Sequence, residues 1–258
     1  RGERLVTRSH WLRTPDDVVL HVEDHGPTDG PTVLALHGFA QCAGIWRRQL
    51  ALDIRWVLPD LRGHGRSGRP KGAAAYTSSE IWANDIAFVI DALSLDRPVL
   101  MPWSYAGLVA SDYLRHFGDG ALGGLVMVAA RTKIGTDAAR AMSGSLFLEH
   151  APGFVTENAE ARMAAIVRFL DALTRTGIDP ADWYEMIGWN ALVPPSVCQA
   201  LLARVADNDD VLRSVSVPAW FVHGREDTSI LPAMSEHNAA LVEGALLSVY
   251  PGVGHAPF

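Results

Sequence analysis

Pro102-Trp103-Ser104-Tyr105-Ala106-Gly107 is the stretch that decides how this chain is read. The apolar run Pro98-Val99-Leu100-Met101 leads into it, and the helical pattern from Gly107 to Leu114 leads out. A serine held between strand and helix by small neighbours is a candidate nucleophile on a sharp turn. The usual form of such a turn is G-x-S-x-G, because its backbone is strained and other chain passes close by. Here Pro102 and Ala106 stand where the two glycines would be. Pro102 lacks the N–H that a central strand donates, a loss that a strand end tolerates. Ala106 adds a methyl where chains approach closely. Both departures are expected to reduce activity more than to change the fold.

The neighbouring segments give the setting. Val18 to Glu23, Arg55 to Pro59, Val99 to Trp103, Ala219 to His223 and Leu246 to Tyr250 read as strands. Thr32-Val33-Leu34-Ala35-Leu36 and Leu125-Val126-Met127-Val128-Ala129 are continuous apolar runs, as strands buried on both faces require. From Ser79 to Leu93 the apolar residues Ile81, Trp82, Ile86, Val89, Ile90 and Leu93 fall on one helical stripe. A second helix is expected from the serine turn to about His116. Strands alternating with helices predict an α/β fold, a mostly parallel sheet covered on both faces. Residues 131–213 break the rhythm. They are Ala-rich and helical in pattern, with Pro180, Pro194 and Pro195 as breakers and no strand evident between Ala130 and Val217. The expected organisation is a core of residues 1–130 and 214–258 with a helical lid, 131–213, inserted between strands. No internal repeat or low-complexity segment is present.

Bulk properties narrow the function. The chain has 258 residues, 48% of them hydrophobic, and a formal net charge of −7. That charge argues against a nucleic-acid partner, which needs clustered Lys and Arg. The one basic cluster, Arg62, Arg66, Arg69 and Lys71, is expected to be a solvated loop. No apolar run reaches the length of a membrane span. Cys42 and Cys198 have neither thiol-motif nor metal-motif spacing, and unpaired thiols in a reducing, cytoplasmic setting are the expectation. The chain starts at Arg1 instead of Met, so a trimmed secretory leader stays open. Composition says nothing about oligomeric state. No metal or cofactor is expected. His21 and His25, four apart on a strand, would lie roughly 13 Å apart, too far for one ion.

A nucleophilic serine needs a base, and the base needs an orienting carboxylate. Of the ten histidines, His255 stands out in Gly252-Val253-Gly254-His255-Ala256-Pro257, just beyond the last expected strand. Asp227 follows the strand Ala219 to His223 through Gly224-Arg225-Glu226; Glu226 competes but comes one residue early. Both fall at carboxyl ends of strands, where open α/β sheets place their sites. The order Ser104, Asp227, His255 is the one this fold uses. Backbone N–H groups must also face the developing oxyanion. The candidates are those of Tyr105, next to the serine, and Phe39, in the turn His37-Gly38-Phe39-Ala40.

His37-Gly38-Phe39, Pro59-Asp60-Leu61-Arg62-Gly63-His64-Gly65-Arg66-Ser67, the serine turn, His223-Gly224-Arg225-Glu226-Asp227 and Gly254-His255 together resemble the α/β-hydrolase superfamily. The resemblance covers nearly the whole chain and is weakest across 131–213. Its nearest flavour is the group of small esterases, enol-lactonases and cofactor-free haloperoxidases. It implies catalysis by Ser104, Asp227 and His255 through an acyl-enzyme, with an ester or lactone as the small-molecule substrate. Perhydrolysis, acyl transfer or carbon–carbon cleavage on the same triad, or a non-catalytic receptor, are the alternatives. An Asp at position 104 would have pointed to epoxides or haloalkanes. The resemblance implies a structural role for Asp60 to Ser67, and a final helix beyond Phe258. His37 is expected to brace the oxyanion loop and to border a substrate pocket. Trp183 and Trp189 either line that pocket or pack the lid on the core. A lid poor in Lys and Arg favours neutral or hydrophobic acyl groups.

Overall fold

A computed structural model describes residues 7–174 and 177–258. Eight strands form one sheet: β1 (Thr7–Arg13), β2 (Val19–His25), β3 (Thr32–Leu36), β4 (Arg55–Pro59), β5 (Val99–Pro102), β6 (Gly124–Val128), β9 (Ala219–Gly224) and β10 (Leu246–Tyr250). The intervening β7 (Lys133–Ile134) and β8 (Ala206–Asp207) pair with each other outside that sheet. Spatial order is β1-β2-β4-β3-β5-β6-β9-β10, with β1 and β2 antiparallel to their neighbours and the rest parallel.

Burial follows the residue pattern. The continuous apolar runs of β3, β4 and β6 occupy the middle of the sheet, where both faces are covered. The edge strand β1, Thr-Arg-Ser-His-Trp-Leu-Arg, alternates between exposed and half-buried residues. It is absent from the sequence-based expectation because an edge strand with polar residues on both faces carries no apolar periodicity.

Helices α1 (Ala74–Thr77) and α2 (Ser79–Ala92) connect β4 to β5, α3 (Ala106–Phe117) connects β5 to β6, and α10 (Pro232–Leu241) connects β9 to β10. The Ser78 side chain accepts the Ile81 N–H and starts α2. Every residue of α3 from Ala106 to Leu114 is buried.

The order in which successive strands are added to the sheet reverses at β3, since β4 lies on one side of β3 and β5 on the other. At such a switch point the loops leaving two neighbouring strands separate and open a crevice. Here those loops are His37–Ala40 and the serine turn, and the register Leu36↔Pro102 brings their starts level.

Between β6 and β9 the chain forms α4 (Asp137–Ala141), α5 (Ser145–His150), a 3₁₀ turn (Ala151–Val155), α6 (Ala159–Asp171), α7 (Pro180–Leu192), α8 (Pro195–Leu202) and α9 (Asp209–Arg213). Thr136, Asn158 and Asp179 cap α4, α6 and α7, and Pro180 and Pro195 occupy first helical positions. The expectation of no strand in this region is corrected by β7 and β8. Two-residue strands have no period to read. They are joined by tertiary charge pairing, with buried Lys133 bonded to Asp207 and Asp209.

One further expectation changes. Arg62 is not solvated: it is 1% exposed and bonded through Nε and Nη2 to Asp85, each at 2.6 Å, and also to Asp16. Arg66, Arg69 and Lys71 are exposed. His21 and His25 serve the sheet, His21 facing Asp60 and Ser9, and His25 facing Thr7 and Glu23. Cys42 and Cys198 are buried and free, and burial pushes the Cys198 thiol up to about 12.

Candidate active site

The serine turn is built by close approach. Ser104 has φ 57°, a left-handed conformation that disfavours residues with a Cβ. Four backbone hydrogen bonds hold it there. Ser104 N–H donates to Val128 O at 3.1 Å, and Ser104 O accepts from Gly107 at 3.0 Å and Arg131 at 2.8 Å. Ala106 N–H reaches Trp103 O at 3.1 Å.

A Cβ on Gly107 would lie 2.5 Å from Arg131 O, and one on Gly38 would lie 3.0 Å from Ser104 Cβ. The required absence of a side chain therefore falls at Gly107 and Gly38. Ala106 is fully buried without needing to be glycine. Pro102 sits where the β5–β6 ladder pauses. Pairing stops at Leu100↔Leu125 and resumes with the Trp103↔Val128 bridge, so the missing N–H falls in the gap.

Three loops converge on Ser104. Its hydroxyl lies 2.8 Å from His255 Nε2, and His255 Nδ1 lies 2.7 Å from Asp227 Oδ2. The carboxylate fixes the tautomer: Nδ1–H donates to Asp227, leaving Nε2 to accept the Ser104 proton. His255 is anchored by its own backbone, whose N–H donates to Leu173 O at 3.0 Å and whose carbonyl accepts Trp103 Nε1–H at 2.9 Å. Ser104, Asp227 and His255 are 8%, 2% and 2% exposed, so all three are buried.

Asp227 Oδ1 accepts the N–H groups of Ser229 at 2.7 Å and Ile230 at 3.0 Å. Burial alone would raise its pKa. The facing His255 and His223 rings outweigh that and hold it well below the usual carboxylate range. Glu226 points elsewhere and accepts the Val253 N–H at 3.1 Å, bracing the loop that carries His255.

The loop after β3 supplies the fourth element. The N–H groups of Phe39 and Tyr105 donate no hydrogen bond among the described residues. Their rings are 6.1 Å apart, and the Phe39 ring packs 5.2 Å from that of Phe154 in the inserted segment. His37 lies beneath this loop. Its Nδ1–H donates to Gly38 O at 2.9 Å and its Nε2 accepts the Leu61 N–H at 3.0 Å. Burial lowers the His37 pKa and keeps the ring neutral for both bonds.

The three expected pocket residues have different surroundings. His37 is fully buried and is not on the lining of the cavity that Trp189 meets. Trp183 is tied to Asp171 by a 2.8 Å hydrogen bond. Trp189 lines a cavity of about 310 Å³ with Gly44, Met186 and Phe258, and Gly254 and Ala256, which flank His255, are on the same lining. Helical spacing put these aromatics on α7, but only the docking of α7 decides which cavity each meets.

The Asp60 to Ser67 stretch is structural. The Asp60 carboxylate accepts Ala43 N–H at 2.8 Å and Arg66 N–H at 2.9 Å and faces His21 Nδ1 at 2.9 Å. A Cβ on Gly65 would lie 2.3 Å from Asp60 Cγ.

His223 is the residue that sequence reasoning missed. Its Nε2 lies 3.0 Å from Asp227 Oδ2 and 2.9 Å from Ile230 O. Two acceptors before one nitrogen place the proton on it, so Nδ1 accepts the Ser235 hydroxyl at 2.7 Å. The i, i+4 spacing of His223 and Asp227 across a strand end was the available signal. Among the described residues no group of three or more His, Cys, Asp or Glu side chains is arranged to hold a metal ion. No described helix is long and apolar enough to cross a membrane.

Comparison with known families agrees with the fold. The family described as alpha/beta hydrolase fold matches residues 31–258. This chain belongs to the alpha/beta hydrolase fold family. An esterase from Rhodococcus sp. ECU1013, RhEst1, superposes on this hydrolase-fold chain with TM-score 0.88 and 31% identity, covering 98% of this chain and 92% of that one. A putative aryl esterase from Burkholderia cenocepacia superposes with TM-score 0.90 and 26% identity, covering 97% and 92%. An epoxide hydrolase from Caballeronia sordidicola is 38% identical over 88 residues, which is 33% of this chain and 26% of that protein. The match thus spans about a quarter of that relative's length.

Proposed function

We propose that this protein is a serine hydrolase that cleaves a carboxylic ester or lactone through an acyl-enzyme. The observation that carries the reading is the hydrogen-bonded chain Ser104–His255–Asp227, at 2.8 and 2.7 Å, beside the Phe39 and Tyr105 N–H groups, which donate no hydrogen bond among the described residues.

In the first step Ser104 Oγ attacks the carbonyl carbon while its proton passes to His255 Nε2. The oxyanion of the tetrahedral intermediate accepts the Phe39 and Tyr105 N–H groups. Asp227 stabilises the imidazolium without taking its proton. His255 then gives that proton to the leaving alcohol, and the carbon–oxygen bond breaks. In a lactone the alcohol stays attached to the acyl chain. Water, deprotonated by His255, attacks the acyl-serine, and collapse returns the proton to Ser104 and releases the acid.

A hydroxyl nucleophile supports this reading over the epoxide chemistry named for one relative, because the reading of position 104 for epoxides requires a carboxylate there. The test is a fluorophosphonate probe with the adduct mapped by mass spectrometry. Labelling of Ser104 in the folded protein, lost in His255→Ala, is expected. Folded protein that leaves Ser104 unmodified would sink the proposal. A panel of p-nitrophenyl esters and lactones then grades acyl length.

A further inference from the structure

Arg131, in the loop after β6, is a buried cation with most of its donors unused. It is 2% exposed. Among the described residues only Nη1 is hydrogen-bonded, to Ser143 Oγ at 2.8 Å. Nη2 is buried without a partner, and Nε makes no hydrogen bond among the described residues. One face of the guanidinium lies over Phe147, 4.1 Å from the ring centroid. Burial lowers the Arg131 pKa to about 10, which leaves it charged at neutral pH. Asp227 attracts it electrostatically, but the oxygens of Asp227 already serve His255, His223, Ser229 and Ile230. A buried charge without a hydrogen-bonded counter-ion is costly and calls for an explanation.

The protein shows what this edge of an arginine binds. Arg8 and Arg55 both present Nε and Nη2 to Asp24, at 3.1 and 2.9 Å and at 3.1 and 3.0 Å. Arg62 presents the same pair to Asp85, at 2.6 Å each. Two parallel N–H groups match the two oxygens of a carboxylate. Arg131 carries the same pair of donors without a protein carboxylate on it.

Arg131 and Ser143 line a cavity of about 390 Å³ whose walls include Ile134, Phe147, Leu148 and Leu202. The other charged residues on its lining, Asp137 and Arg140, offset each other, so Arg131 sets the net charge. A net charge of one positive unit beside the apolar side chains of Ile134, Phe147, Leu148 and Leu202 suits a monoanion with an apolar body and disfavours a phosphate dianion. Ser104, His255 and Phe39 are not on this lining, so the cavity is distinct from the site described above.

We propose that this cavity binds a small organic carboxylate, with its two oxygens on Nε and Nη2 of Arg131 and its apolar body against Phe147, Leu148 and Leu202. The proposal does not depend on hydrolytic activity.

Calorimetric titration of the whole protein with benzoate and with its neutral counterpart benzamide tests it. Benzoate binds, and benzamide binds at least about tenfold more weakly. Arg131→Met removes benzoate binding. Arg131→Lys, which keeps the charge but loses the paired edge, weakens it about tenfold. Absence of benzoate binding to the wild-type protein, equal binding of the two probes, or undiminished benzoate binding by Arg131→Met would each overturn the proposal. Should circular dichroism show Arg131→Met unfolded, the probe pair and Arg131→Lys decide the question between them.

Discussion

His223 and His255 meet the same oxygen of Asp227, at 3.0 and 2.7 Å. The carboxylate is thus shared between a histidine that faces Ser104 and one that faces the core. His223 lowers the electron density available to His255 and fixes the carboxylate's plane. In the proposed mechanism it acts through Asp227 and is a positioning residue. Replacing it with Leu frees a lone pair on Asp227, which then holds the His255 proton more strongly. The acid limb of the fluorophosphonate labelling rate should move to higher pH, and His223→Gln, which keeps a donor, should restore it. A purely structural role would lower labelling at all pH values without moving the limb.

Ser104→Ala should reduce ester turnover at least about a thousandfold, since the attacking group is removed while the oxyanion donors stay. The melting temperature should change little, because the hydroxyl's one bond is to His255. Thermal unfolding monitored beside p-nitrophenyl acetate hydrolysis separates the two effects.

Gly107→Ala places a methyl 2.5 Å from Arg131 O. The turn must open, and labelling of Ser104 should fall sharply along with stability. Ala106→Gly should behave differently. It relieves nothing and costs about 1 kcal/mol of helix propensity at most. A labelling rate that rises in Ala106→Gly would show that the methyl constrains the turn after all.

Asp227 has its pKa held below the ordinary 3.8 in the folded state. Its ionised form therefore contributes stability that is complete above the unfolded value and is lost as pH falls below about 4. The stability gap between wild type and Asp227→Asn, measured in urea, should be wide at pH 7 and narrow steadily from about pH 4 downward. A gap that is constant with pH would contradict the charge-based account.

Asp60→Ala removes a buried carboxylate that holds two backbone N–H groups and faces His21. A loss of about 3 kcal/mol or more is expected from a buried, hydrogen-bonded charge of this kind. Labelling per folded molecule should persist, because the stretch touches Ser104 through no direct contact. Activity lost in fully folded protein would give Asp60 a different role.

The sequence by itself determined the strand–helix alternation, the central strands β3, β4 and β6, and the candidates Ser104, Asp227 and His255. Each of these is carried by a local pattern: an apolar run with no polar break, or a reactive residue just past a strand end. Tertiary structure decided what local patterns do not encode. Edge strand β1 and the pair β7–β8 have no period of their own and exist through their neighbours. Arg62 reads as a solvated charge until Asp85, 23 residues away, is folded against it. Trp189 and Trp183 sit on one helix, yet the docking of that helix sends them to different surroundings. The glycine requirement at the turn moved for the same reason. It follows the backbone that passes nearby, Arg131 at Gly107 and Ser104 at Gly38, and that chain is distant in sequence. His223 and Arg131 belong here too. A histidine or arginine acquires its chemistry from which of its donors find partners, and only the folded chain settles that.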